Sequence, residues 1–150
     1  PAWALFGSQL VVGIVVAALG TVLMLAMTAA IYGTVWPKAL AGVLVAFALA
    51  TLAFTALGFL LASLMKTARA AQGISLLVFL VSWMLSGAAP PRAVLPDAVR
   101  TIGDAIPLTH AILTIQDPWF GFGWSGTHLL VVAVVTIAAA VPAIVLFRWD

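Results

Sequence analysis

The sequence contains no cysteine, which excludes disulfide bridges, thiolate catalysis and cysteine-ligated metal. It is also short of charge. Six basic and four acidic residues make up 7% of 150, against about a quarter in an ordinary soluble domain. So few ionised groups cannot cover a fold in water. A chain that is 65% hydrophobic is equally far from disorder. The net charge of +2 is scattered over short segments and builds no continuous basic face, so nucleic acid is not an expected partner. No G-x-x-x-x-G-K-[ST] occurs, so no P-loop cradles a nucleotide. The first apolar run is too long for a signal peptide and lacks its basic flank and cleavage site.

What the sequence does have is long uncharged runs. Charges fall at Lys38, Lys66 to Arg69, Arg92 to Asp104, Asp117 and Arg148 to Asp150, leaving 1–37, 39–65, 70–91 and 118–147 free of them. Each run exceeds the roughly 20 apolar residues that cross a bilayer as a helix. The expected fold is therefore an all-α polytopic membrane protein, a single transmembrane domain over residues 1–150 with four spans at about 8–36, 39–64, 71–88 and 125–147. Pro37 stops the first span, and Pro37-Lys38 leaves room only for a tight turn, so the second returns antiparallel. Gly42, Ala46, Ala50 and Ala53 share one face of the second span, a small-residue stripe of the kind that lets membrane helices approach closely. Trp3, Trp36, Trp119, Trp124 and Trp149 sit at span ends, where an interfacial aromatic belt places them.

Two further stretches carry pattern. In the third span Ser75, Phe79, Ser82 and Ser86 share a helical face at i, i+4, i+7 and i+11. A hydroxyl gains nothing from lipid, so this face is read either as lining a translocation path or as small residues packed between helices. Between the third and fourth spans, Pro96-Asp97 starts a helix with Val99, Ile102 and Ile106 on an apolar face and Asp97, Arg100 and Asp104 on a charged one. Pro107 restarts the chain, and Leu108, Ala111, Ile112 and Ile115 form a second apolar face before Asp117-Pro118. The 12 uncharged residues between Asp104 and Asp117 are too few to span, which predicts an interfacial or re-entrant helical hairpin over about 96–117.

Other motifs dissolve on inspection. Gly121 to Gly126 reads G-x-G-x-x-G, but no strand precedes it and no acid follows at the dinucleotide spacing. Gly123-Trp-Ser-Gly126 looks like the G-x-S-G of rhomboid intramembrane proteases, whose serine needs a histidine base from a later helix. Here His128 lies three residues on, and only His110, from the hairpin, could otherwise approach. His110, His128 and the acids match no metal-ligand spacing; His110 is read as packing on the hairpin and His128 as interfacial. Neither a metal nor another cofactor is expected, and no catalytic residue is assigned.

One ordered set is more specific. The chain reads Gly58 to Leu64, Lys66, Ala71-Gln72-Gly73-Ile74, Leu85-Ser86-Gly87, Pro90-Pro91, Leu95-Pro96 and Ile106-Pro107-Leu108-Thr109-His110-Ala111. Over about residues 55–148 this resembles the C-terminal half of ABC exporter permeases of the type-2 class, particularly bacterial drug and lipid exporters; residues 8–54 fit only as generic spans. The landmarks are Ser86, Gly87, Pro91, Leu95, Pro96, Pro107, Leu108 and Thr109. The resemblance implies a permease in a bacterial plasma membrane, moving an amphipathic or hydrophobic cargo (drug, lipid or glycolipid) outward. It also implies a separate ATP-binding ABC subunit, a second permease copy, and a parent with six spans of which the first two are missing here. Orientation follows from it too, since the positive-inside count ties at Lys66, Arg69 and Arg148 against Lys38, Arg92 and Arg100. The 65–72 loop becomes cytoplasmic, with Lys66, Thr67 and Arg69 against the ATPase, and the hairpin extracytoplasmic. The alternatives are a secondary transporter or channel, which would be expected to bury an ionisable residue at mid-span, and the rhomboid-like protease.

Overall fold

The computed structural model describes residues 2–33 and 36–146. It is helical, with no strand among the described residues. Four helices are long and apolar enough to cross a membrane: α1 (Ala2–Tyr32), α2 (Leu40–Leu64), α3 (Ala68–Leu85) and α6 (Gly126–Leu146). A single 3-10 turn (Arg92–Val94), α4 (Asp97–Asp104) and α5 (Pro107–Phe120) lie between α3 and α6.

The ends of these helices have local causes. α1 stops at Tyr32, short of the expected Trp36, because Gly33 takes a φ of +83° and its N–H donates to Ala29 O at 3.1 Å. Glycine, not Pro37, ends this helix. α3 starts three residues earlier than expected because Thr67 caps it, its Oγ1 accepting from the Ala70 N–H at 3.2 Å. The basic loop is thereby cut to residues 65–67, and Arg69 lies in the first turn of α3. α3 ends at Leu85 rather than 88, with Ser86 as its C-cap. α5 runs through Pro118 to Phe120. Phe147, expected to end the last span, and Arg148 and Trp149 just beyond it lie outside the described residues.

α2 is the hub. Val43, Ala46, Ala50, Ala53 and Ala56 are its buried residues, so the small-residue stripe read from the sequence is its packing face. Ala50 and Ala53 form a core with Ala111 of α5 and Val132 of α6, flanked by Leu49, Phe54 and Ile115. Further along α6, Ala139 and Ala143 are buried. Lipid tails are as apolar as leucine, so burial alone does not drive these helices together; alanines allow the close backbone approach that does. Pro118 packs on Gly42 while Ala111 sits by Ala50 and Ala53, so α5 runs antiparallel along the first half of α2. Trp124 also lies by Gly42, and Val132 by Ala50 and Ala53, so α6 runs alongside α2 in the same direction. Hydroxyls within the spans are satisfied on their own helices: Thr51 donates to Phe47 O (2.8 Å), Ser63 to Leu60 O (2.8 Å) and Thr136 to Val132 O (2.7 Å). α1 and α3 are different. α1 meets α2 around Gly13, opposite Thr51 and Thr55, yet none of its described side chains is buried, and α3 has no buried residue at all.

Candidate functional site

The landmark residues converge on one joint, where α3 hands the chain to α4 and α5. Ser86 is 1% exposed; its N–H donates to Ser82 O (2.9 Å), and its Oγ donates to Trp83 O (3.2 Å) while accepting from the Ala88 N–H (3.3 Å). Gly87 has a φ of +87°, and the stem of Arg92 fills the space a side chain there would need, 2.3 Å from an ideal Cβ. Pro91 accepts from the Val94 N–H at 3.0 Å, closing the 3-10 turn, and Leu95 follows as its extended C-cap. Pro96 is the N-cap of α4 and accepts from the Arg100 N–H at 3.0 Å, while Pro107 opens α5, followed by half-buried Leu108. Thr109 is fully buried, its Oγ1 donating to Gly103 O at 2.6 Å. Gly103 itself abuts the Leu85 carbonyl so closely that a Cβ would lie 2.3 Å from that oxygen. Each of these residues shapes backbone, so the motif builds a corner.

Charge at this corner is paired differently from the expected face of three. Arg100 bonds Asp97 one turn away, but Asp104 is taken by Arg92 from the 3-10 turn. Asp97 and Asp104 are two turns apart, and Arg92 folds back over Gly87 to reach the second of them. Asp97 is 92% exposed, so its pair is weak.

The four residues proposed for a path do not share one environment. Ser75 and Ser82 are half-buried, Phe79 is 51% exposed, and Ser86 is enclosed in the corner. At the other end of α3, Lys66, Thr67 and Arg69 are all exposed, with Thr67 serving as the cap already described. Opposite them, Lys38 donates its N–H to Trp119 O (3.0 Å) and Ala39 donates to Pro118 O (3.1 Å). The N-terminus of α2 thus satisfies the last carbonyls of α5, and the Lys38 side chain lies over Gly121, where a cation suits a helix C-terminus. Lys38 and the 87–124 segment therefore occupy one end of the bundle, and Lys66 to Arg69 the other.

The histidines make a pair that the sequence did not disclose. His110 Nδ1 lies 2.9 Å from His128 Nδ1, and His110 Nε2 lies 2.9 Å from Asp104 O. His110 thus packs on the hairpin as read, but its ring also bridges to α6. Only the 18-residue separation hid this, since α5 had to be folded back onto α6 to bring the two together. No histidine engages Ser125 among the described residues, so the rhomboid-like triplet assembles no serine–imidazole pair. Instead, Ser125 accepts the Leu129 N–H at the first turn of α6, at 3.1 Å, and Gly121 is the left-handed C-cap of α5. Among the described residues, no three or more side chains of metal-ligating type gather. Gly42 and Gly103 are the other contacts of note, the first readable from its stripe and the second not.

Neither a curated protein nor a solved structure matches the chain. A family profile does: that of the ABC-2 type transporter matches residues 1–120, which takes in α1 to α5 and the whole corner at Ser86 to Thr109. With four apolar helices of spanning length, this is a multi-pass membrane permease and not itself the ATPase of its system; the chain belongs to the ABC-2 type transporter family.

Proposed function

We propose that this permease exports an amphipathic or hydrophobic cargo, such as a drug, lipid or glycolipid, on energy from ATP hydrolysed by a separate subunit. Membership of the family implies an ATP-binding partner and a paired permease in general terms. The observation that carries the finer reading is α3, a helix without buried residues whose one face offers Ser75, Phe79 and Ser82. Hydroxyls on this face can bond back to their own helix, as those of Thr51, Ser63 and Thr136 do, but lipid offers them no further partner. A face that mixes hydroxyl and aromatic groups suits a seam between two copies, where Ser75 and Ser82 meet the polar part of a cargo and Phe79 its apolar body. Ser86 stands at the head of this seam and shapes it rather than contacting cargo. Lys66, Thr67 and Arg69 are assigned to the face that receives the ATP-binding subunit, and the α4–α5 hairpin to the extracytoplasmic side, at the interface or dipping into it.

The test is Ser82→Trp in proteoliposomes that contain the permease and its ATP-binding subunit. ATP-dependent movement of a fluorescent phospholipid and of a lipophilic dye is followed, with chemical cross-linking to read pairing. Transport should fall at least tenfold while insertion and pairing persist. Loss of pairing would make the face a packing surface, and unchanged transport would move the path to another helix.

A further inference from the structure

We propose that His110 and His128 form a proton-operated latch between α5 and α6, closed while the pair carries at most one positive charge and opened when both rings are charged. The two Nδ1 atoms are 2.9 Å apart and the ring planes are inclined by 50°, the geometry of an N–H···N hydrogen bond rather than of stacking. The proton positions follow from the neighbours. Asp104 O can only accept, so His110 Nε2 carries a hydrogen. A neutral imidazole has one N–H, which makes His110 Nδ1 an acceptor and His128 Nδ1 the donor to it.

A first added proton is tolerated. It can go to the free Nε2 of His128, leaving the bridge intact. It can also go to His110 Nδ1 with the bridge reversed. A second cannot be accommodated, because two N–H groups would then face each other with no acceptor between them and two cations in contact.

The acids nearest the pair already hold cations. On α4, Asp104 is occupied by Arg92 and Asp97 by Arg100. α2 contributes no ionisable residue, the described part of α6 none besides His128, and α3 only Arg69 at its far end. On α5 itself Asp117 lies two turns on, about 10 Å along the axis, and Lys38 packs at that same end. Histidine is the residue type whose charge changes between about pH 5 and 8, so acidity on this side of the membrane is the natural trigger. The latch also has something to release. Ala111, next to His110, shares the central core with Val132, one turn beyond His128. The inference stands on this geometry alone and is independent of the cargo.

The chain has two histidines and no cysteine, which makes the test clean. In the full chain in lipid bilayers, labelled with 15N-histidine, one ring should be the Nε2–H tautomer and the other Nδ1–H at high pH. Charging one ring should shift the 15N signals of the other, because the two share one hydrogen bond. Two rings in the same tautomer, or 15N signals that respond independently of each other, would overturn the latch. Opening is read separately with Val132→Cys, whose reaction with a membrane-permeant thiol reagent, relative to a free thiol at the same pH, should rise at least threefold on acidification. Dividing by the free-thiol rate removes the falling thiolate fraction from the comparison. The same cysteine in a His128→Gln background should show no rise. A flat profile with both histidines present would refute the opening even if the tautomers are as assigned.

Discussion

At Gly42 and Gly103 it is the missing side chain that lets two helices meet. A Cβ on Gly103 would sit 2.3 Å from the Leu85 carbonyl oxygen, and one on Gly42 would sit 2.8 Å from Pro118 Cβ. The obstacle at Gly103 is backbone, which cannot swing aside, so Gly103→Ala must push α4 off the end of α3. We expect about 1–3 kcal/mol of destabilisation, the usual range for overpacking, read as a lower melting midpoint of the purified chain in detergent. Gly58 lies within α2 with nothing near its Cβ position, and Gly58→Ala should leave the midpoint unchanged or raise it. Equal losses at the two sites would mean that the α3–α4 contact is not made. The ion pairs are a second residue-level case. Arg100→Ala removes an exposed pair and should cost no more than about 0.5 kcal/mol. Arg92→Ala removes, besides its pair, the stem packed over Gly87, and should lower the same midpoint further. A larger effect from Arg100 would restore the charged face of three on α4 that the sequence suggested.

Elements were legible where one periodicity and one solvent decide them. The α2 stripe could be read because alanines three and four apart fall on one face, and a bilayer leaves few other reasons to align them. Its use can be tested by Ala53→Leu, which adds volume where α2 meets α5 and α6 and should cost about 1–3 kcal/mol in the detergent melt. Leu44, on the same helix and 60% exposed, should tolerate replacement by alanine. Comparable losses at both positions would mean that α2 has no preferred packing face. Helix ends were less legible. Thr67 caps α3 inside what composition marks as a basic loop, and Gly33 ends α1 before the proline that draws the eye. The candidate site was read least completely. Ser86, Gly87 and the prolines could be found as a pattern, but the partners that explain them come from elsewhere in the chain. Arg92 reaches Asp104 over 12 residues, Thr109 reaches back to Gly103, and His110 meets His128. Such meetings depend on how α4 and α5 fold back, which no local periodicity encodes.

At the scale of the whole molecule, the charges of the described residues sort to two ends of a nearly uncharged bundle. Counting them does not say which end faces the cytoplasm, since they tie. The structure supplies half of the answer by joining Lys38 to Trp119 and Gly121, at the end of the bundle opposite Lys66 and Arg69. Family kinship supplies a proposal for the other half, with the Lys66 end inside. Because the chain has no cysteine, three single replacements separate the two halves. Lys38→Cys and Asp97→Cys should both react with a membrane-impermeant maleimide in intact cells, whereas Arg69→Cys should react only after the membrane is opened. All three residues have exposed positions, so a failure to label reports sidedness and not burial. If positions 38 and 97 label together but only after permeabilisation, while 69 labels in intact cells, the fold stands and the orientation reverses. If 38 and 97 fall on opposite sides, then the contact of the α1–α2 turn with the end of α5 is wrong. Lys38 and Asp97 are joined through α2 and α3, so opposite sides would mean that only one of these two helices crosses.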